Sequence, residues 1–195
     1  MNVIDRIIKN IYYFCVSLLK HLIEVPIQWM VGLFILSVVL WIMFWYKLVH
    51  KEISFKIGFA RILLSQYLYM IVVSTVLARP STDTYQIELH LFWSYLNAIK
   101  LKSQFALWQG FSNIIMTVPL GCLLPLSLVR EIKLKDICFM GSLFSLLIEC
   151  FQLVLRKGLF ELDDIFHNTM GAVIGYFVYK FYVDKVRTNV AKKLA

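Results

Sequence analysis

The chain has 195 residues, of which 60% are hydrophobic and only 16% are charged, and its mean hydropathy is +0.73. About a quarter of the residues in soluble domains are charged, so this composition excludes an ordinary soluble protein and indicates a polytopic membrane protein. The net charge of +8 comes mostly from basic residues that flank apolar runs. It therefore favours membrane orientation and contact with lipid headgroups over nucleic-acid binding.

The N-terminal residues 2–23 repeat apolar side chains at a helical period and carry a charged face, which predicts an amphipathic helix lying on the membrane. Its uncharged centre would be about 15 Å long, half the thickness of the hydrocarbon layer. Lys9 and Lys20 interrupt this stretch and no A-x-A-like site follows it, so no cleavable signal peptide is predicted.

Five long apolar segments follow, and each is predicted to cross the membrane as a helix. They are residues 26–46, 62–78, 105–129, 137–155 and 164–183. The predicted fold is an all-α polytopic membrane helix bundle with five transmembrane helices and an interfacial N-terminal helix, or six spans if residues 2–23 also cross.

The connection of residues 79–104 is the longest, and it contains an amphipathic piece that we expect on the membrane surface. The apolar residues of this piece are Leu89, Phe92, Trp93, Leu96 and Ile99. Four cysteines lie inside apolar segments without a CxxC spacing, so we expect packing residues and neither disulfides nor a metal site. They are Cys15, Cys122, Cys138 and Cys150.

Lysine and arginine residues predict the orientation of the bundle. Twelve of the 20 lie in the 47–61 loop, the 130–136 loop and the C-terminal tail, and eight lie on the other side. The C-terminus is therefore predicted to be cytoplasmic. If residues 2–23 crossed the membrane, Arg6 and Lys9 would join the inner side and strengthen this bias.

Polar side chains of four predicted helices fall in one shallow layer near the outer boundary. Asn113, Glu149 and Asn168 all lie about 6–12 Å below it at about 1.5 Å per residue. An ionisable group at membrane depth costs several kcal/mol unless it is paired or hydrated, so these residues indicate a polar pocket open to the outside. The candidate ligand-binding residues are Arg79, Asn113, Thr117, Glu149, Gln152, Asp164 and Asn168.

Each candidate also has a structural interpretation. Asp163 is expected to cap the fifth helix, where free N–H groups and the helix dipole favour an acid, and Asp164 fits either capping or the site. Gln152 fits helix–helix adhesion as well as ligand binding. Arg79 either extends to lipid headgroups or pairs with an acid.

Asn168 is expected to hydrogen-bond to Glu149 or Asn113, and His167 to make a polar contact. With only one histidine near these acids, we expect no metal and no cofactor. Gly171 and Gly175 form a GxxxG pattern that predicts close helix packing. Pro119 predicts a kink in the third span, and Gly121 makes that helix irregular further along.

Three blocks of sequence resemble the VanZ-like family and occur in the order of that family. Asn113, Pro119 and Gly121 fit N-x-x-x-x-x-P-x-G, and residues 146–152 resemble S/L-x-x-x-E-x-x-Q. Residues 164–171 resemble D-x-x-x-N-T-x-G. The resemblance covers residues 62–183, which divides the chain into an extension (1–60), a four-helix VanZ-like domain (61–185) and a basic tail (186–195).

The resemblance implies a multi-pass protein of the bacterial cytoplasmic membrane, in a family whose founding member is linked to resistance to teicoplanin-type glycopeptides. Three positions depart from the family pattern. Glu161 stands where aspartate is usual, Leu91 replaces proline before Phe92, and His167 occupies a position without a fixed identity.

Three functional hypotheses follow from this pattern. The first is a non-enzymatic protein that binds a lipid-linked envelope component or an amphiphilic antibiotic such as a lipoglycopeptide, and so contributes to antibiotic resistance or envelope homeostasis. The second is an intramembrane enzyme acting on a lipid or cell-wall precursor with Glu149 and Asp164 as acid and base. The third is an ion-coupled carrier, since intramembrane acids are typical of proton relays. The expected partners are membrane lipids and no nucleic acid.

Overall fold

The computed structural model describes residues 26–100 and 104–194. The predicted interfacial helix, residues 2–23, lies outside the described residues. The chain in the described part is predominantly helical, with two short strands. Its elements are α1 (Ile27–Val49), α2 (Phe55–Val72) with a π-helical turn at Val73–Leu77, β1 (Gln86–Glu88), α3 (Trp93–Lys100), α4 (Gln104–Ser127), α5 (Leu134–Val154), β2 (Leu159–Glu161) and α6 (Leu162–Leu194).

Four helices in the described ranges are long and apolar enough to cross a membrane. They are Ile27–Val49, Phe55–Leu77, Leu107–Ser127 and Leu134–Val154, which correspond to the first four predicted spans. The second begins at Phe55 instead of residue 62, because the side chain of Ser54 accepts a hydrogen bond from the Ile57 amide and caps the helix there.

The fifth predicted span lies inside α6, a helix of 33 residues that is not among these four. Its first turn contains Asp163 and Asp164, and its last third is rich in charged residues. Its central part packs against α4 and α5 and supplies Ala172 and Tyr176 to the main apolar core. The central part of α6 is thus the axis on which the neighbouring helices pack.

Glycines bring the backbones of α4 and α6 into direct contact. A Cβ atom at Gly171 would overlap the carbonyl oxygen of Ile114, and one at Gly175 would overlap that of Val118. From the other side, a Cβ atom at Gly121 would overlap the carbonyl oxygen of Ala172. Only glycine fits at these three positions, because the atoms that a side chain would meet belong to the backbone of the neighbouring helix.

Helix α4 runs without interruption through Pro119 and Pro125. Proline lacks an N–H group and disturbs the hydrogen bonds of the preceding turn. The hydroxyl of Tyr67 on α2 donates to the Met116 carbonyl in that turn. A neighbouring helix therefore supplies a polar contact next to the proline, as buried backbone in a membrane protein requires.

The two strands form a small parallel sheet that joins two distant connections. Gln86 pairs with Leu159, and Glu88 pairs with Glu161. The amide of Thr82 also donates to the Arg156 carbonyl at 2.6 Å. The connection after α2 and the connection after α5 therefore lie at the same end of the bundle, which we call the strand end.

Candidate functional site

Buried polar side chains collect just beneath the strand end. Glu149 is 1% exposed and Asn168 is 3% exposed, and Thr117, Ser145 and Gln152 are also buried. Asn113 and Asp164 are partly buried, and Arg79 is exposed. The sequence-predicted residues on α4, α5 and α6 thus lie near one end of the bundle, together with Arg79 in the connection after α2. This is the arrangement expected if the helices share a polar layer.

Glu149 is held by the backbone of the second strand. Its Oε2 atom accepts a hydrogen bond from the Glu161 amide at 3.0 Å. Asp164 and Arg79 lie within electrostatic range of the Glu149 carboxyl group. Asp164 disfavours the charged form of Glu149, and Arg79 favours it. Within the described residues, neither Glu149 nor Asp164 forms an ion pair with Arg79 shorter than 4.0 Å.

Arg79 lies beside the turn that precedes the second strand. A Cβ atom at Gly158 would be 3.0 Å from Nη1 of Arg79 and 3.4 Å from Oε1 of Gln152. The glycine therefore lets the guanidinium group and the amide approach the same turn. Arg79 therefore lies at the edge of the group of buried acids. One side of the residue is exposed, and the other side faces the acids.

Gln152 connects two helices. Its Nε2 atom donates to the Thr75 carbonyl at 2.9 Å, within the π-helical turn at the end of α2. A π-helical turn changes the local backbone pairing and leaves carbonyl groups open to other donors. This contact matches the helix–helix adhesion that was one of the two interpretations of Gln152.

Asn168 has a different partner from the one expected. Its Nδ2 atom donates to the Ser145 hydroxyl at 2.7 Å, so the expectation of a bond to Glu149 or Asn113 was wrong. The reason is the packing of α6 on α5, where Gly141 and Ser145 let the two helices approach closely. The Ser145 hydroxyl, rather than the Glu149 carboxyl group, therefore accepts the hydrogen bond from the Asn168 amide.

Asp163 also has a different partner. Helix α6 begins at Leu162, so Asp163 lies in its first turn and does not cap it. Its carboxylate accepts hydrogen bonds from the Phe92 amide and, at 2.8 Å, from the Ser94 amide. The expected cap of α6 is in fact the cap of α3, the short helix that covers the strand end.

Two polar pairs at the site involve residues that the sequence pattern did not single out. The hydroxyl of Tyr95 on α3 lies 2.7 Å from Nε2 of His167, which is only 1% exposed. Nε2 of Gln109 donates to Oε2 of Glu161 at 2.8 Å. Gln109 lies one helical turn before Asn113 and therefore on the same face of α4. This helical spacing was the signal by which the sequence could have identified Gln109 as a site residue.

Gly110 makes room for His167. A Cβ atom at Gly110 would be 2.7 Å from Cε1 of the imidazole ring, so the ring lies flat against the backbone of α4. The expected polar contact of His167 is thus its contact with Tyr95, and the ring is enclosed between α3 and α4.

Three buried polar atoms of this region have no hydrogen-bond partner among the described residues. They are Nδ2 of Asn113, Nδ1 of His167 and Oδ1 of Asn168. Asn113 faces the carboxyl group of Asp164, although its Nδ2 atom makes no hydrogen bond of good geometry. Unsatisfied buried polar atoms typically cost about 1–3 kcal/mol each.

Carboxyl groups outnumber cations in the cluster. Glu149, Glu161, Asp163 and Asp164 bring four carboxyl groups close to a single guanidinium group, that of Arg79. Burial raises the pKa of Glu161 above its usual value, and the hydrogen bond from Gln109 counteracts this in part. No group of three His, Cys, Asp or Glu side chains in the described ranges is arranged to hold a metal ion.

Two clefts of the protein lie away from this cluster. One, of about 590 Å³, is at the opposite end of the bundle between the α4–α5 connection and α6. The other, of about 630 Å³, is an apolar groove on α1 between Phe34 and Trp45. The polar cluster itself is closed by its own side chains and by α3.

Comparison with known proteins yields one family. The model of the VanZ/LLP1 family matches residues 33–183, which include most of α1, the whole polar cluster and the central part of α6. No curated protein and no solved structure matches the chain. The three motifs, the polar layer that they build and a family match over most of the chain agree, and the chain belongs to the VanZ/LLP1 family.

Proposed function

We propose that this protein acts at the outer face of the bacterial cytoplasmic membrane as a binding protein without enzymatic activity. It recognises the polar part of an amphiphilic or lipid-linked envelope component, or a lipoglycopeptide, and so lowers the susceptibility of the cell to glycopeptide antibiotics. Membership in the VanZ/LLP1 family supports the link to glycopeptides. In this proposal α6 is the fifth span and the C-terminus is cytoplasmic.

The observation that carries the proposal is the group of three unpartnered polar atoms on Asn113, His167 and Asn168. They lie next to an excess of carboxyl groups over cations. Donors and acceptors without protein partners favour a ligand rich in hydroxyl, amide or amino groups, which are abundant in sugars and peptides. The closed form of the cluster implies that α3 moves aside when the ligand enters.

The test uses Asn113→Ala, because the Nδ2 atom of Asn113 makes no hydrogen bond of good geometry whose loss would destabilise the fold. We expect its free energy of unfolding to change by less than about 1 kcal/mol while ligand binding falls. Gln66→Ala is the matched control, since the Gln66 amide donates to the Ser37 hydroxyl at 2.8 Å on α1, away from the site. It should lower stability and leave binding intact.

Binding is measured with purified protein in nanodiscs against a lipid-linked cell-wall precursor and against teicoplanin. Antibiotic susceptibility is measured in parallel on cells that express each variant. Saturable binding that Asn113→Ala weakens, together with raised resistance in the wild type, supports the proposal. Absence of saturable binding to both probes combined with unchanged susceptibility refutes it.

The acid–base hypothesis keeps a specific observation in its favour. Glu149 and Asp164 lie within electrostatic range of each other and of Arg79, as a pair handling a phosphorylated substrate would. Glu149→Gln keeps the shape of the side chain and an acceptor for the Glu161 amide but removes the base. Glu52→Gln, an exposed glutamate paired with Lys47, makes the same chemical change outside the site. Equal antibiotic resistance in the two variants excludes acid–base catalysis by Glu149.

A further inference from the structure

The cleft at the end opposite the strands is independent of the polar cluster. It lies between the α4–α5 connection and the stretch of α6 from Tyr176 to Asp184, and its volume is about 590 Å³. This volume is within the range of about 300–1,000 Å³ that is typical of small-molecule sites. Helix α5 has 21 residues, so at about 1.5 Å per residue the cleft is about 30 Å from the strand end.

The rim of the cleft is cationic. Arg130, Lys133 and Lys180 face it, and Glu131 and Asp184 are the acids among its lining residues. In the described part of the chain, none of the three cations forms an ion pair shorter than 4.0 Å with either acid. The three cations outnumber the two acids, so the lining carries one net positive charge.

Helix α5 adds a further positive contribution. It begins at Leu134, which lines the cleft, and the positive end of its dipole lies there. Asp136 caps this end locally by accepting a hydrogen bond from the Lys133 amide at 3.0 Å. The ammonium group of Lys133 remains exposed at the rim.

The wall of the cleft is apolar. Pro125, Leu128, Phe177 and Val183 contribute to it, and Tyr176 is fixed beneath by the bond from its hydroxyl to the Ile132 carbonyl at 3.1 Å. A free phosphate would use the cationic rim alone. A lipid would use the rim for its phosphate and the wall for its acyl chains, and so it fits the whole surface.

We propose that this cleft binds the phosphate headgroup of an anionic membrane phospholipid. Basic pockets between membrane helices attract such headgroups by charge and retain them by contact with the acyl chains. A lipid bound in the cleft would link the α4–α5 connection to α6. This proposal does not depend on what the outer polar cluster binds.

The test compares two double variants that remove the same charge from the start of α5 and from α6. Lys133→Gln with Lys180→Gln removes two lysines of the cleft, whereas Lys135→Gln with Lys185→Gln removes two exposed lysines that do not line it. Apparent affinity for phosphatidylglycerol is measured by native mass spectrometry and by the rise in thermal unfolding temperature as the lipid is added to detergent-purified protein.

We expect an about 30-fold loss of affinity in the cleft variant, from about 1 kcal/mol per lysine, and little change in its matched control. Glu131→Gln should change affinity in the opposite direction, because it removes a negative charge from the rim. This gain tests the proposal even if the double variant folds poorly.

Two further probes identify the source of the phosphate. Phosphatidylcholine, which has no net charge, should stabilise the wild type less than phosphatidylglycerol does, and inorganic phosphate should not reproduce the effect. Equal losses in the two double variants, or equal stabilisation by inorganic phosphate, would overturn the proposal. A decrease of affinity in Glu131→Gln would do the same.

Discussion

Asp163 on α6 accepts a hydrogen bond from the Ser94 amide at 2.8 Å and thereby caps a helix that lies 69 residues earlier in the chain. A cap supplied from a distant segment couples the position of α3 to the first turn of α6. The hydroxyl of Tyr95 on α3 also contacts His167 on α6, so two contacts attach the cover of the polar cluster to α6.

Replacing Asp163 by Asn should loosen this cover. The amides of Phe92 and Ser94 each donate to one of the two carboxylate oxygens of Asp163, whereas asparagine has a single side-chain oxygen. We therefore expect a loss of about 1–2 kcal/mol in the free energy of unfolding. Denaturant unfolding of the detergent-purified protein measures it. Asp83→Asn is the control, because Asp83 is exposed in the connection after α2, and it should leave the free energy of unfolding unchanged. Equal stability of the two variants would contradict the capping role.

The contact between α4 and α6 predicts that Gly175→Ala is poorly tolerated. The new methyl group would overlap the Val118 carbonyl oxygen, and two backbones that are packed together cannot yield as a side chain can. We expect a loss of at least about 1–3 kcal/mol, measured as a fall in thermal unfolding temperature.

Gly32→Ala provides the comparison for Gly175→Ala. Its methyl group would lie 2.5 Å from the hydroxyl of Tyr69, which donates to the Trp29 carbonyl, and would meet no backbone of another helix within 4 Å. Its effect on the unfolding temperature should therefore be clearly smaller. A larger effect at Gly32 than at Gly175 would disprove the backbone contact as the cause.

Glu161 predicts a pH dependence of stability. Burial raises its pKa in the folded protein above its usual value, so the folded state binds this proton more tightly than the unfolded state. Stability contributed by Glu161 therefore decreases as the pH rises from its unfolded pKa through its folded pKa. Glu161→Gln keeps a side-chain partner for Gln109 and removes the charge.

Relative to Glu161→Gln, the wild type should become less stable as the pH rises above 4.5, the usual pKa of glutamate, as followed by thermal unfolding at each pH. Glu88 provides a comparison of opposite sign. The hydrogen bond from the His90 amide, together with that from the His90 side chain, lowers its pKa. Its stabilising contribution is therefore lost as the pH falls through that lowered pKa. A wild type that tracks Glu161→Gln at every pH would show that burial does not affect this carboxyl group.

The proposed orientation predicts which loops are accessible from outside the cell. In a background without the four native cysteines, a cysteine at the exposed position 83 should react with a membrane-impermeant maleimide in intact cells. A cysteine at the exposed position 131 should react only after the membrane is opened. The reverse pattern would invert the bundle and place the polar cluster at the inner face.

Much of the architecture was predictable because it depends on local chemistry. The apolar runs predicted the four helices, and the spacing of Gly171 and Gly175 predicted close packing before their neighbours were known. Counting residues along each helix predicted that Asn113, Glu149 and Asn168 share one layer, and their depth in the membrane stays a prediction. These features depend on composition and helical period, which a single sequence contains.

The partners of the polar residues could not be predicted in the same way. The contacts of Asp163 with Ser94, of Gln109 with Glu161 and of Tyr95 with His167 each join segments at least 52 residues apart. Helical period says which face a residue occupies but not which neighbour faces it. The parallel strand pair had no signal at all, since three residues are too few to show alternation.

The pairing of Gln86 with Leu159 has a consequence for how the protein is made. A chain that leaves the ribosome from its N-terminus presents β1 long before β2 exists, and Asp163 follows β2 directly. The cover of the polar cluster therefore cannot assemble until α5 has been inserted and α6 has begun to emerge. During that interval α3 lacks its cap, so a ribosome that stalls before residue 159 would leave a set of helices without a completed polar cluster.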